Sequence, residues 1–372
     1  MNIMILTVSA GQGHHATGRA ITEYFESKGH TTKTVDVYEY ISPIISKSIE
    51  KGYLVSTKYT KKAYRQFYRK AETVTRPTFS YATNRAFGKL FRSCIKEFMP
   101  DAIICTHVWA AQFIDSYINK YGAGKMITVG VVTDFVLHPY WERTKVDYLI
   151  TASELLNRSI QKKNIPLEKV RAFGIPIRNQ FSTPLSRKEA CQKLGIPDKI
   201  TILIMSGSMG YGNVARHILA LDSLDQDFQI LAVCGRNKHL QHSLEKLDLK
   251  KDLFVYGYTD EVHVMMDAAS CIVTKPGGLS VSESLAKGLP MILMNPIPGQ
   301  EDRNLDFMLN NGLAQYVTKL HPLDEAVFQL FSSPDLLENR RRVAQAFGKP
   351  NATQDLCEFI IEVHNERKAN GS

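Results

Sequence analysis

Two adjacent histidines, His14 and His15, follow the glycine-rich turn Ser9–Gly13, directly after the apolar run Ile3–Val8. An imidazole titrates near neutrality, and a glycine loop at a strand end gives a substrate hydroxyl close access, so a histidine here suits a general base. A solvent-exposed or helix-capping histidine is the plainer reading. A second group of candidates lies between Val273 and Asn304. There the apolar run Cys271–Val273 breaks at Pro276-Gly277-Gly278, a helical stretch carries Glu283, and a further apolar run, Met291–Met294, leads into Pro298-Gly299-Gln300-Glu301. Glycines at such a turn let backbone N–H groups approach a phosphate, and the helix start behind them favours negative charge. Ser206-Gly207-Ser208-Met209-Gly210-Tyr211-Gly212 offers another such cradle. Asp134, His138, Tyr140 and Trp141 gather after a third apolar run. Gly and Pro as ordinary turn punctuation would account for each glycine loop taken alone.

The elements that position these groups alternate strand and helix. Strand-like runs at Ile3–Val8, Thr32–Asp36, Asp101–Thr106, Ile127–Thr133, Val146–Thr151 and Val170–Ile175 form one series. The third of them ends at His107 and Trp109, and Ser153 is placed to cap a later helix. Gln180–Leu185 reads as a linker, after which Thr201–Met205, Gln229–Cys234, Leu253–Tyr256, Cys271–Val273 and Met291–Met294 form a second series. The expectation is an α/β chain of two doubly wound, Rossmann-like domains facing across a cleft, residues 1–179 and 180–372. The tail from Pro334 to Lys368 reads as helical, with about 350–372 packing back toward the first domain. In open parallel sheets ligands bind beyond the carboxyl ends of the strands, where all of these polar groups fall. The first turn shares glycines with a dinucleotide fingerprint, but His14 and His15 stand where that fingerprint needs small residues.

Composition narrows the class. The chain has 372 residues, 44% hydrophobic and 22% charged, enough apolar material for two cores. No apolar run approaches the roughly 18–20 residues that span a bilayer. The N-terminus lacks a basic region and a small-residue cleavage site, so no signal peptide is read. Six scattered cysteines without a CxxC point to buried thiols in a reducing cytosol. No HExxH or DxD pattern offers a metal site. Residues 51–92 carry eleven Lys/Arg against Glu72 alone, whereas the whole chain nets +9, so the remainder is near neutral. Nine Tyr and Phe side chains interleave with those cations, which include Lys61, Lys62, Arg65, Arg69 and Lys70. That mixture suits an anionic membrane surface or single-stranded nucleic acid, and a solvated basic face is the plain alternative.

The motifs SAGQGHHATG (9–18), TDFVLHPYW (133–141), FGIPIR (173–178), SGSMGYG (206–212), VYGY (255–258), TKPGGLSVSE (274–283) and PGQEDRN (298–304) occur in this order along nearly the whole chain. Together they resemble the bacterial type of the monogalactosyldiacylglycerol synthase and processive diacylglycerol glucosyltransferase group, in glycosyltransferase family 28. They are more remotely similar to the peptidoglycan GlcNAc transferase that makes lipid II. The resemblance implies a GT-B fold, with an N-terminal domain for the lipid acceptor and a C-terminal domain for a UDP-sugar. It implies that His14 is the base and that Asp134 acts beside it. Gly207, Ser208 and Gly210, with Pro276, Gly277 and Gly278, would bind the diphosphate. Glu283 would take the ribose, Gln300, Glu301 and Asn304 the sugar hydroxyls, and Arg178, Tyr258 and Thr259 the uracil end. Gly13, His138 and Trp141 would face the acceptor.

The family's first loop often reads GGGH or GNGH, whereas here GQGH is followed by an extra His15, so His14 is favoured by spacing alone. Residues 51–92 fall where the family inserts a membrane-associating segment, which favours anionic lipids over nucleic acid. The function implied is inverting, metal-independent transfer of a hexose from UDP-glucose or UDP-galactose to diacylglycerol. The enzyme would be peripheral on the cytoplasmic face of the cell membrane and need no cofactor besides the UDP-sugar co-substrate. A UDP-GlcNAc transferase acting on another acceptor, and a nucleotide-sugar- or nucleic-acid-binding regulator, are the alternatives.

Overall fold

The computed structural model of the protein describes residues 1–9, 12–41, 92–205 and 214–370. The basic cluster Lys61, Lys62, Arg65, Arg69 and Lys70, and the loop residues Gly207, Ser208 and Gly210, lie outside the described residues. The chain divides into two compact units, one made of 1–179, 297–300 and 351–372, the other of 180–296 and 301–350.

Among the described residues the first unit has six parallel strands: β1 (Asn2–Thr7), β2 (Thr31–Asp36), β3 (Ala102–Cys105), β4 (Ile127–Val131), β5 (Tyr148–Ile150) and β6 (Val170–Arg171), in the order β2-β1-β3-β4-β5-β6. The inner strands β1, β3 and β4 are short runs rich in isoleucine and valine, and they are buried almost throughout, as expected for a parallel sheet covered on both faces. One face packs Ile3, Ile5, Ile104 and Val129 against Ile21 and Phe25 of the helix Gln12–Ser27. The same core takes Leu356, Cys357, Ile360 and Val363 of the helix Ala352–Ala369, so the last helix belongs to the first unit. Tyr24 Oη donates to Glu358 at 2.8 Å, and Thr353 Oγ1 donates to the Ile177 carbonyl at 2.6 Å.

The second unit repeats the plan with β7 (Thr201–Met205), β8 (Gln229–Val233), β9 (Leu253–Tyr256), β10 (Cys271–Thr274), β11 (Met291–Leu293) and β12 (Ala314–Tyr316), in the order β12-β11-β10-β7-β8-β9. Its first helix, Arg187–Leu194, follows directly from sequence. Ser186 and Glu189 close a capping box, and Gly195, at φ 67°, ends the helix in the left-handed conformation. In each sheet the strand order reverses once, between β1 and β3 and between β7 and β10. A doubly wound sheet opens a crevice at such a switch point.

Three details differ from the sequence reading. The helix behind the first glycine turn starts at Gln12, which puts Gly13 inside its first turn. The strand β12 was not foreseen, because Ala314–Tyr316 is too short for a periodic pattern. Gln180–Leu185 is not a free linker: Phe181 is 1% exposed, and Ser182 Oγ donates to the Pro350 carbonyl at 2.5 Å. A buried ion pair, Lys287–Asp267 at 2.8 Å, also holds it, since Lys287 Nζ donates to the Thr183 carbonyl and Asp267 accepts from the Leu185 N–H. All six cysteines are free and buried. Among the described residues no helix is long and apolar enough to cross a membrane.

Candidate active site

In the first unit the chemistry gathers where β1 and β3 end, at the switch point. His14 lies in the first turn of the helix Gln12–Ser27 and is 9% exposed. Its Nδ1 stands 2.9 Å from the Thr106 backbone carbonyl and 3.1 Å from Thr133 Oγ1. A carbonyl oxygen can only accept, so Nδ1 carries the proton and Nε2 keeps its lone pair. Burial lowers the pKa of His14 from 6.5 to about 4; the bond to Thr106 partly opposes this and His15 adds to it. His14 is therefore neutral at pH 7 with Nε2 as the proton acceptor, the tautomer a general base requires.

His15 is differently engaged. Its Nε2 lies 3.1 Å from Ser9 Oγ and 3.2 Å from Asp36 Oδ2, and its Nδ1 lies 3.3 Å from Thr7 Oγ1. Burial pushes the Asp36 carboxyl up, but hydrogen bonds from His15, Ser9 and the Glu39 N–H outweigh it and hold the group below its usual value. With both ring nitrogens bonded inside the unit, His15 has no free lone pair for a substrate. Its partners thus differ from those of His14, whose Nδ1 alone has a hydrogen-bond partner among the described residues.

Asp134 sits on the loop after β4 and accepts a hydrogen bond from the side-chain amide of Gln300, which belongs to the same compact unit. His138 caps the short 3-10 turn Pro139–Arg143, its Nδ1 accepting from the Tyr140 N–H at 3.2 Å. Trp141 is 5% exposed, and a Cβ added at Gly130 would meet Trp141 Cζ3 at 2.5 Å, so the indole packs into the core beside β4. Arg178 is half-buried near the end of the first unit's main segment.

In the second unit β10 ends at Thr274 and the chain turns through Pro276 and Gly277 into the helix Gly278–Ala286. Its N-cap residue is Gly277, and among the described residues no side-chain cap is made there. Gly277 has φ −73° and ψ 134°, which any residue adopts, and among the described residues a Cβ there would meet only Glu301 Oε1, at 3.7 Å. Neither backbone strain nor packing among the described residues demands glycine at 277. A ligand approaching the backbone would.

Glu283 lies on the second turn of that helix and is 8% exposed. Asn304 is fully buried and donates through Nδ2 to the Pro276 carbonyl at 3.0 Å, which ties it to the glycine turn. Gly299, at φ 102°, supplies the turn that sets Gln300 and Glu301 at the start of the helix Gln300–Asn310. Tyr258 is 58% exposed beneath the Arg236 guanidinium, and Thr259 Oγ1 accepts from the Glu261 N–H at 3.1 Å. Among the described residues no group of three or more His, Cys, Asp or Glu side chains is placed to hold a metal ion.

A family model described as monogalactosyldiacylglycerol (MGDG) synthase matches residues 14–177, starting at His14, and one described as glycosyl transferases group 1 matches 186–347. The chain is 29% identical over 365 residues to the processive diacylglycerol beta-glucosyltransferase of Bacillus pumilus, covering 97% of this chain and 94% of that protein. Over nearly its whole length the chain is similar to diacylglycerol glycosyltransferases. It is also 28% identical to a rice protein named "Probable monogalactosyldiacylglycerol synthase 3, chloroplastic", over 98% of this chain and 75% of the relative. The crystal structure of Acinetobacter baumannii MurG superposes with a TM-score of 0.64 and 16% identity, covering 97% of this glycosyltransferase and 99% of that chain. At that identity the likeness speaks for the fold alone, and the fold is GT-B.

The structure thus brings His14 together with Thr106 and Thr133, pairs Asp134 with Gln300, and sets Gly277, Gly278 and Glu283 at the cap and in the first two turns of one helix. Sequence reasoning noted His107 as a strand-end residue without giving it work. Its ring lies 4.7 Å from that of His14 at 85°.

Proposed function

We propose that this enzyme transfers a hexose from a UDP-sugar to the free hydroxyl of diacylglycerol, with inversion and without a metal ion. Nε2 of His14 takes the hydroxyl proton as the acceptor oxygen attacks the anomeric carbon. The bond from that carbon to the diphosphate oxygen breaks in the same displacement, and UDP leaves with the electron pair. The buried imidazolium this creates needs nearby negative charge, a role suited to Asp134. Gly277 and Gly278, together with the loop that contains Gly207, Ser208 and Gly210, hold the diphosphate through backbone N–H groups, so that fixed dipoles take the developing charge. Glu283 accepts from the ribose hydroxyls, and Gln300 and Glu301 from the hexose. Arg178, Tyr258 and Thr259 serve the uracil end. Gly13 and His138 border the acceptor.

The observation that carries this reading is the tautomer of His14, fixed by Thr106 as an unprotonated Nε2 at the point where the MGDG synthase match begins. Relatives named as glucosyltransferases and as a galactolipid synthase support a hexose donor of either kind. The basic, aromatic segment 51–92 supports binding to the anionic cytoplasmic face of the membrane. The test is to incubate the protein with diacylglycerol vesicles and, separately, UDP-glucose, UDP-galactose and UDP-GlcNAc, and weigh the lipid products. A hexosyl-diacylglycerol is expected. UDP binding with no lipid product from any donor would overturn the proposal.

A further inference from the structure

His107 follows β3, and its ring stands perpendicular to that of His14, with centroids 4.7 Å apart. It also caps the helix Val108–Tyr121, because its Nδ1 accepts from the Trp109 N–H at 3.1 Å. That bond fixes His107 with its proton on Nε2, the opposite tautomer to His14. Two neutral imidazoles packed edge to face make a favourable aromatic pair. If either ring were protonated, it would meet the other in a site from which water is excluded.

Resting on the transfer reaction above, we propose that His107 is a positioning residue for the base: its ring covers His14, fixes the plane of that imidazole and keeps water away from it. Among the described residues the charged and titratable groups that bear on the pair are His15, His138 and Asp134. His15 neighbours His14 on the same helix, and His138 acts on His107 from the loop after β4. Thr106 and Thr133 are uncharged, and Asp134 follows Thr133 on that loop. Burial is the first cause of the lowered pKa of both histidines, with His14 and His138 lowering that of His107 further. Removing the His107 ring lets water reach His14 and moves its pKa from about 4 back toward 6.5. The pH profile of kcat/KM reports the ionisation of the free enzyme's base, so its acid limb moves with it.

Two variants separate the ring from the cap. His107→Asn keeps a side-chain oxygen to cap the helix but removes the ring, whereas His107→Phe keeps a ring and removes the cap. The first readout is the titration of His14 in protein carrying 13C-labelled histidine, followed by NMR without substrate. His107→Asn is expected to raise the midpoint of His14, and His107→Phe to leave it near that of the wild type. In transfer assays at pH 7, His107→Asn should lower kcat by roughly tenfold or more through misplacement of the base, with KM for the UDP-sugar unchanged. His107→Phe should recover most of that loss.

Any other titration pattern overturns the inference. If His107→Phe behaves worse than His107→Asn, the residue serves only as a helix cap. If neither moves His14, the ring contact does nothing for the base. If wild-type protein shows the expected titration yet transfers no hexose, the reaction assignment fails while the ring contact stands.

Discussion

Folding a neutral, buried histidine makes the protein less stable in acid, and His14 lets the size of that effect be calculated. In the unfolded chain it takes up a proton near pH 6.5, whereas in the folded protein it does so only near pH 4. Between those values the unfolded state binds more protons, so stability falls as pH falls through the window. At pH 5 the unfolded imidazole is almost fully charged and the folded one about nine-tenths neutral, which costs about 2 kcal/mol relative to pH 7.5. Asp115 opposes this. Burial raises its carboxyl from 3.8 to about 6, so the folded state binds the extra proton and stability rises toward acid in the overlapping range.

Comparing wild type with His14→Asn removes the Asp115 contribution, because both proteins carry it. The two tryptophans, Trp109 and Trp141, both lie in the first unit, so their fluorescence during urea unfolding follows the unit that contains His14. The stability lost between pH 7.5 and pH 5 should be smaller in the variant by about 2 kcal/mol. Equal losses in the two proteins would refute the buried, neutral His14.

Gly277→Ala should leave folding stability within about 0.5 kcal/mol of wild type, because among the described residues the added Cβ meets only Glu301 Oε1, at 3.7 Å, while weakening UDP binding tenfold or more by calorimetry. Unchanged affinity would mean that no ligand approaches that backbone. Lys287→Ala leaves the Asp267 carboxylate buried and unpaired at 4% side-chain exposure, and should destabilise the second unit by about 3–5 kcal/mol in thermal unfolding. A melting temperature like that of the wild type would show that water already relieves this pair. Replacing Lys61, Lys62, Arg65, Arg69 and Lys70 with Gln should release the protein from anionic vesicles in a flotation assay, since each cation near the headgroups contributes about 1 kcal/mol. Undiminished flotation would place membrane attachment elsewhere.

Much of the fold was legible because parallel strands buried on both faces read as short apolar runs, and the glycine and proline turns behind them mark their carboxyl ends. For the same reason the candidate residues could be listed from sequence. What sequence could not supply was the direction of each side chain. Asn304 stands four residues beyond Gln300, which puts it on the same side of their helix, yet it is turned fully inward onto the Pro276 carbonyl. Trp141 sits among polar strand-end residues but fills the space that Gly130 leaves. Phe181 lies in a stretch of turn-forming residues and is nonetheless buried, and an ion pair between residues 267 and 287 holds that stretch at Thr183 and Leu185. His14 and His15 are chemically identical, and only the partners at Thr106 and Asp36 distinguish them. Contacts of this kind join residues far apart in the chain, and no local pattern encodes them.

The central claim is that His14 is the base for hexose transfer to diacylglycerol. Its most direct test is His14→Ala, assayed in parallel for UDP affinity by calorimetry and for transfer from the productive UDP-sugar to diacylglycerol vesicles. UDP binding should be retained while transfer falls a hundredfold or more, the usual scale for losing a general base. Transfer at the wild-type rate would contradict the claim.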